Sequence, residues 1–300
     1  MTTLKVEDHH ILTFTKNTEL LLQQQDSRLG GAVMTQSYTG KAAQAVIQYG
    51  DVSMQPITAG QAAGQWAGDT VWSDIGHHQR WILPQDFAVS LIVTHQDVIR
   101  MLVDPQSGYA QAVAAANNRK VDELISLAAI GVSQTGDVAT PVNVALPADQ
   151  VIVDGGDGLT IKKLIAAREK LDAAENNPNE QRFICVSAKQ ISDMLENTEV
   201  QSADYNTVKA LVQGEVDTFL GFKFIRYEGL TSTPSGADTI RHAFAWVKSG
   251  VYLGTWDSFM VRVEERPDKN YVRQLYARRT LGATRTQEKK VVQINCLEAA

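Results

Sequence analysis

One helical segment constrains the fold more than any other feature of the sequence. Asp104 is a favourable N-cap, Pro105 suits the first helical position, and Gly131 suits the residue after the last turn. Between them, residues 105–130 carry apolar side chains at helical spacing, with one break at Lys120. Such a helix is roughly 39 Å long, whereas helices in globular proteins average about 11 or 12 residues. We therefore predict the backbone element of an elongated molecule.

A long hairpin is predicted before this helix. Residues 34–84 contain few charges and many small or β-prone side chains. Two strands, Ala45–Ile57 and Thr70–Leu83, flank a Gly- and Ala-rich stretch at 59–68, which is typical of a hairpin. A lone hairpin is unstable in water, so it needs a surface to lie on, and a second molecule could provide that surface.

Three tryptophans lie in or beside the predicted hairpin: Trp66, Trp72 and Trp81. Tryptophan is enriched at protein interfaces. We therefore predict that these side chains contact a partner, with packing on the protein's own body as the alternative.

The remaining chain is predicted to hold a compact α/β unit followed by returning strands. The residues before the hairpin form a short helix, Thr18–Leu29, that Gly30 and Gly31 end. Ser187 and Gln190 have the spacing of a capping box. The predicted strands are Val151–Val153, Arg182–Val186, Phe222–Ile225, His242–Val247, Val251–Gly254, Met260–Glu265, Tyr271–Thr280 and Lys289–Ile294, and further helices cover 161–171, 187–197 and 204–212.

A basic segment stands out against the net charge of −6. Residues 259–290 hold nine basic and four acidic side chains. Such asymmetry favours attraction between copies of the chain, or binding of nucleic acid. The alternative is a solvated charged strand. We predict subunit contacts at five of these arginines: Arg262, Arg266, Arg273, Arg278 and Arg279.

No motif predicts a catalytic, cofactor-binding or metal-binding residue. The glycine run Gly155–Gly158 follows a strand and opens a helix, but Ile161 occupies the position of the third glycine of a dinucleotide fingerprint. We predict a plain turn there. The Gly131–Gly136 stretch has the wrong spacing for a nucleophile elbow and is interpreted as a helix C-cap and linker. The histidines form no metal-binding motif.

The cysteines and the hydrophobic segments indicate the cellular compartment of the protein. Cys185 lies in an apolar run and Cys296 near the end, so we predict buried thiols and no disulfide scaffold. No stretch approaches the roughly 20 apolar residues that span a bilayer, and residues 1–8 do not resemble a signal peptide. We expect a soluble intracellular product without membrane contact.

Several stretches resemble the major capsid proteins of tailed bacteriophages. The similarity rests on DYNTVKALVQGEVDTFLGFKF at 204–224, on LVDP at 102–105 where the long helix begins, and on SAKQI at 187–191. The order of the predicted elements is similar over nearly the whole chain.

The resemblance implies an α+β fold of the Hong Kong 97 type. It implies an N-terminal arm at 1–33, an extended hairpin loop at 34–84, and a peripheral domain at 85–136 and 257–300 with its spine helix at 105–130. Residues 137–256 would be the axial domain.

The resemblance also implies a structural function. The chain would assemble with copies of itself into pentamers and hexamers of an icosahedral shell around double-stranded DNA, which it contacts non-specifically. A portal and a possible decoration protein are further partners, and the virion is the destination after assembly in the host bacterial cytoplasm. Two alternatives are an α/β enzyme with a phosphate-binding loop at 155–158, and a nucleic-acid-binding protein using 262–290.

Two departures from the family pattern carry expectations. Only about 33 residues precede the hairpin, so any scaffold is expected to be a separate protein. Some members cross-link through a lysine in the extended loop. Here Lys41, at the base of the hairpin, is the one lysine between 34 and 84, so covalent cross-linking is not expected.

Overall fold

A computed structural model of the chain describes residues 24–40, 44–54, 72–93, 106–137, 140–196, 218–236 and 238–298. In these ranges, helices α1–α3 are Gln106–Ile130, Ile161–Ala173 and Ala188–Glu196. The mixture of helix and strand confirms the predicted α+β class. Strands β1–β16 are Met34–Ser37, Gln44–Tyr49, His77–Ile82, Gln85–Val93, Ser133–Asp137, Thr140–Val144, Val151–Ile152, Arg182–Val186, Thr218–Phe219, Phe222–Arg226, Ser232–Ser235, Asp238–Val247, Val251–Thr255, Met260–Arg266, Val272–Arg285 and Val291–Glu298.

Some predicted features lie outside the described residues. They are the hairpin tip at 59–68 with Trp66, the helix start at 104–105, the helix at 204–212 and the first part of the arm, up to residue 23.

The chain divides into two compact units. Unit 1 comprises residues 1–27, 86–120 and 257–280. Unit 2 comprises 28–85, 121–256 and 281–300. Helix α1 and strand β15 contribute residues to both units.

Unit 1 is built on β15. Strand β14 pairs antiparallel with it, from Met260 opposite Arg278 to Arg266 opposite Val272, and β4 pairs with β15 as well. A small core joins Val113 of α1 to Leu275 and Ala277. The ammonium group of Lys120 lies 5.0 Å from the centre of the Phe87 ring. This cation–π contact explains how a lysine fits into the apolar stripe of the helix.

A seven-stranded sheet forms the core of unit 2, in the order β7-β16-β12-β8-β10-β9 with β11 paired to β12. Helices α2 and α3 cover one face, where Leu164, Leu171 and Met194 are buried against the sheet. On the other face Trp246 packs against Phe183 and Phe244, with ring centres 5.6 and 4.9 Å apart.

Local signals place the helix ends. Thr160 caps α2 by accepting a hydrogen bond from the Lys163 amide at 3.4 Å. The capping box before α3 is confirmed: the Ser187 amide donates to Gln190 Oε1 at 3.0 Å, and the Gln190 amide donates to Ser187 Oγ at 3.4 Å.

The predicted arm helix is wrong over residues 24–29, which are not helical. The Asp122 carboxylate of α1, which is fully buried, accepts hydrogen bonds from the Arg28 and Leu29 amides at 2.8 and 3.0 Å. Trp246 Nε1 donates to the Ala32 carbonyl at 3.0 Å. Because distant side chains bind these backbone groups, the segment does not need the hydrogen bonds of a helix.

The hairpin does not stand alone. Strands β2 and β3 pair antiparallel from Gln44 opposite Ile82 to Tyr49 opposite His77. They extend into a four-stranded sheet, β2-β3-β5-β6. The interpretation of residues 131–136 as a linker is therefore wrong, since β5 begins at Ser133. A two-stranded hairpin is marginally stable and leaves unpaired backbone groups at its edges. Pairing of β3 with β5 satisfies one of these edges and stabilises the hairpin.

Two strands pair with partners that are far from them in the sequence. β13 pairs with β1 and with residues 281–285 of β15. β16 runs between β7 and β12 of the seven-stranded sheet. Its buried apolar side chains, Val292 and Ile294, belong to the core under α2 and α3.

Candidate interaction surfaces

The hairpin-bearing sheet exposes large apolar side chains on one face. In β2, Ile47 and Tyr49 are 64% and 69% exposed. They lie opposite Gln79 and His77 of β3, so these four side chains share a face. The Tyr49 and His77 rings meet edge to face with their centres 5.4 Å apart. Large apolar groups that remain exposed in this way mark interaction sites.

The three tryptophans of the prediction have different environments. Trp72 is 91% exposed. Trp81 is half-buried, and its Nε1 donates to the Gly136 carbonyl of β5 at 2.7 Å. Trp66 lies outside the described residues. Trp81 thus packs on its own sheet, whereas Trp72 is available to a partner.

Residues that the sequence did not single out hold the hairpin sheet in place. The Thr286 carbonyl oxygen accepts hydrogen bonds from Arg80 Nε at 2.9 Å and from Gln48 Nε2 at 3.0 Å. Arg80 Nη2 also pairs with Glu288 Oε1 at 2.6 Å, and both side chains are largely buried. Both strands of the hairpin are therefore tied to the same backbone carbonyl.

Arg285 makes a second tie next to the first. Its guanidinium is fully buried and donates to the carbonyls of Ala129, Gly131 and Val144 at 3.0, 2.7 and 3.2 Å. It thus binds the carboxyl end of α1, where carbonyls lack helical partners and the dipole favours a cation. Burial lowers the pKa of Arg285, which the nearby Glu288 carboxylate opposes.

The predicted basic surface is a mixed one in unit 1. Arg262 and Arg278 are exposed and lie within 3.7 and 3.6 Å of Glu264 and Asp257. A hollow of about 340 Å³ on this face is lined by Met260, Arg262, Glu264, Gln274, Tyr276 and Arg278.

The other three arginines of the prediction also have partners in unit 1. Arg273 lies 3.6 Å from Glu265. Arg266 Nε donates to Asp268 at 3.0 Å, and this hydrogen bond lowers the pKa of the Asp268 carboxyl. Arg279 Nη1 donates to Asn117 Oδ1 at 3.3 Å, and burial lowers the Arg279 pKa. With each exposed arginine beside an acid, the surface suits a partner of mixed charge better than a polyanion.

The glycine run forms a turn that lacks a phosphate cradle. The Gly156 amide donates to the Asp154 carboxylate of the same loop at 3.2 Å. Lys163 Nζ donates to the carbonyls of Asp157 and Gly158, both at 2.7 Å, and to that of Asn295 at 3.1 Å. The lysine is thus engaged in holding the loop to β16. This geometry favours the predicted plain turn over a nucleotide site.

Little other chemistry is found in the part of the chain that the structure describes. There, no cluster of three or more His, Cys, Asp or Glu side chains fits a metal ion, and no helix is long and apolar enough to cross a membrane. Cys185 and Cys296 are free and buried. Burial is the main cause that raises the pKa of Cys296 to about 12, so this thiol is unreactive.

Solved phage capsids share this fold. The protein in the capsid of the cyanophage P-SCSP1u is similar over 100% of this chain and 95% of its own, with 14% identity and a TM-score of 0.70. That in the capsid of Ralstonia phage GP4 is similar over 100% and 98%, with 8% identity and a TM-score of 0.74. That of Helicobacter pylori bacteriophage KHP30 matches over 99% and 98%, with 10% identity and a TM-score of 0.69. The chain thus has the Hong Kong 97-like α+β fold.

The sequence gives the family. Residues 6–298 match the family described as phage capsid protein, and the chain belongs to this family. No curated protein matches the sequence. The protein is a structural major capsid protein that assembles with copies of itself into the viral shell and is found in the virion. The enzyme and nucleic-acid alternatives gain no support.

Proposed function

We propose that the hairpin-bearing sheet makes the principal contact between neighbouring subunits in the pentamers and hexamers of an icosahedral shell. One observation carries the proposal: Ile47, Tyr49 and Trp72 expose most of their apolar surface to solvent. A shell offers a copy of the same chain at every such face. The exposed face would therefore be covered whenever subunits assemble.

The size of the effect follows from the area involved. Fully burying a large apolar side chain contributes about 1.5–3 kcal/mol. Trp72, at 91% exposure, would give most of this on contact with a neighbour. Replacing Trp72 by alanine should weaken each contact by about 2 kcal/mol, or roughly thirtyfold in its equilibrium constant. Repeated at every interface, the change prevents shell formation or loosens the shells that form.

The experiment compares unassembled subunits with purified particles. Trp72 fluorescence, obtained as the difference between wild type and Trp72→Phe, should be quenched by iodide in free subunits and protected in particles. Trp72→Ala should leave the thermal unfolding of the subunit near that of wild type and reduce the yield of particles in negative-stain micrographs.

A matched control is Trp81→Phe, because Trp81 packs on its own sheet through Gly136. We expect this change to lower subunit stability and to leave the protection of Trp72 from iodide on assembly as large as in wild type. Equal quenching of Trp72 in free subunits and particles would exclude the proposed contact.

A second contact is proposed at the mixed-charge face of unit 1. Arg262 and Arg278 line its hollow together with Glu264. Such a surface favours an electrostatically complementary neighbour. The double change Arg262→Ala and Arg278→Ala should reduce the dependence of assembly on salt, measured by light scattering between low and high ionic strength. An unchanged salt dependence would remove these arginines from the interface.

The remaining parts of the function are proposals of the same kind. We propose that the shell encloses double-stranded DNA without sequence preference and is assembled in the host cytoplasm. A separate scaffolding protein, a portal and a possible decoration protein would take part. We also propose that unit 1 belongs to the peripheral domain and the seven-stranded sheet to the axial domain. Cryo-electron microscopy of complete particles tests the enclosed DNA, the portal, the decoration protein and the domain assignment. Tomography of infected cells tests the scaffold and the place of assembly.

A further inference from the structure

The attachment of the hairpin sheet to its own subunit is concentrated in a few residues of unit 2. Side chains of both hairpin strands, Gln48 and Arg80, meet at the Thr286 carbonyl oxygen. Arg80 continues to Glu288 two residues further on. From the other side, Arg285 reaches the Val144 carbonyl at the end of β6. Residues 285–288 therefore bind both edge strands of the four-stranded sheet and β3 between them.

Close packing also holds the hairpin sheet against β15 near residues 285–288. Ile82 at the end of β3 is fully buried. A side chain on Gly282 would place its Cβ 2.4 Å from the Leu83 carbonyl oxygen and 2.9 Å from Ile82 Cγ2. The chain that leaves β3 thus lies directly on β15, and only glycine allows this approach.

The hairpin sheet is also bound together internally. Gln79 Nε2 and Trp81 Nε1 both donate to the Gly136 carbonyl at 2.7 Å. The Thr135 hydroxyl donates to the Gln79 carbonyl at 2.8 Å. These side-chain bonds and the strand pairing hold β3 to β5. We therefore expect a change at residues 285–288 to turn the sheet as a unit.

Thr286 is itself held by hydrogen bonds to Ser249 and Gly250. Its hydroxyl donates to the carbonyls of Ser249 and Gly250 at 2.8 and 3.1 Å, and its amide donates to the Gly250 carbonyl at 2.9 Å. Lys290 Nζ donates to Ser249 Oγ at 3.0 Å. The carbonyl that receives the hairpin is therefore held by the turn between β12 and β13.

We propose that Gln48, Arg80 and residues 285–288 form a joint that sets the angle of the hairpin-bearing sheet on its subunit, and that this angle sets the curvature of the shell. The second half rests on the proposed function, because the hairpin must touch a neighbour for its angle to matter. In a shell the direction of each hairpin determines where the next subunit lies. A small change of angle, repeated at every contact, changes the diameter.

The first measurement uses unassembled subunits. Spin labels are attached at Tyr49→Cys on the hairpin and Lys162→Cys on α2, since the native cysteines are buried and free. Their distance distribution, obtained by pulsed electron paramagnetic resonance, should be narrow in the otherwise unchanged protein. Arg80→Lys, which keeps the charge and loses the fork of donors, should shift and broaden it. Glu288→Gln, a milder change, should broaden it less.

The matched control is Arg241→Lys. Arg241 Nε pairs with Glu298 at 2.9 Å in the seven-stranded sheet, with burial similar to that of Arg80 and Glu288. This change should leave the distance distribution unaltered. A distribution equally narrow in the Arg80 and Glu288 variants would overturn the joint.

The second measurement is the particle diameter of the same variants without labels. The joint variants should give several diameters where wild type and Arg241→Lys give a single one. A broadened distance distribution together with one wild-type diameter would refute the link between hairpin angle and curvature. Failure of the proposed Trp72 contact can be distinguished from failure of the joint, because the spin-label distances are measured on subunits that have no neighbours.

Discussion

The burial of Asp122 allows a prediction of stability. Its carboxylate is fully buried and accepts the amide hydrogens of Arg28 and Leu29 at 2.8 and 3.0 Å. Leaving a buried donor without its partner costs about 1–3 kcal/mol. Asp122→Ala strands the buried Leu29 amide and the part-buried Arg28 amide, so the free energy of unfolding should fall by about 2–4 kcal/mol. Asp122→Asn keeps one accepting oxygen and should lose about half as much.

Urea unfolding of unassembled subunits, followed by circular dichroism, measures these differences. Hydrogen exchange should also show faster exchange at the amides of Arg28 and Leu29 in both variants. The matched control is Asp268→Ala, whose exposed carboxylate pairs with Arg266 and whose loss should leave unfolding unchanged. If Asp122→Ala unfolds at the wild-type urea concentration, the carboxylate does not hold the arm, and the account of residues 24–29 fails.

Four other outcomes are expected. Cys185 and Cys296 should not react with a thiol reagent at neutral pH until the protein is denatured. Burial raises the pKa of Cys296 from 9.0 to about 12. The stability that this thiol contributes is therefore present below pH 9.0 and is lost as the pH rises towards 12, which urea unfolding at increasing pH can show. Gly282→Ala should destabilise the subunit by about 1–3 kcal/mol in urea unfolding, because no space exists for the methyl group. Gln190→Ala should cost about 1 kcal/mol in the same assay, through loss of the capping box with Ser187. Particles boiled in denaturant should release a single band near 32.9 kDa, and a ladder of multiples would reveal cross-links.

The parts of the fold predicted correctly depend on chemistry within a few residues. A capping box needs Ser187 and Gln190 at a spacing of three, and the structure has the hydrogen bonds that this spacing predicts. The strand predicted at Arg182–Val186 has the same bounds in the structure. Such signals are complete in the sequence, because both partners lie in the same turn or strand.

The parts predicted wrongly depend on partners far away in the chain. Asp122 and Leu29 are 93 residues apart, and Arg80 and Thr286 are 206 apart. No local pattern identifies a carboxylate that will replace the helical hydrogen bonds of the arm. For the same reason no local pattern marks Arg80 and Arg285 as buried residues that hold the hairpin sheet. The tryptophans drew attention by residue type, but Trp81 and Trp72 differ in what surrounds them, which only the fold determines.

The free edges of the two hairpin-like strand pairs differ in a way that matters for handling the protein. Strand β14 ends its sheet order and carries four charged residues in seven, which discourages pairing with foreign strands. Strand β2 ends the order of the hairpin sheet, and its sequence QAVIQY has neither charge nor proline. Unassembled subunits at high concentration should therefore begin to aggregate at β2 through strand addition. A solubilised form for biophysical work is best obtained by placing a lysine at Ile47, which adds to this edge the protection that β14 already has.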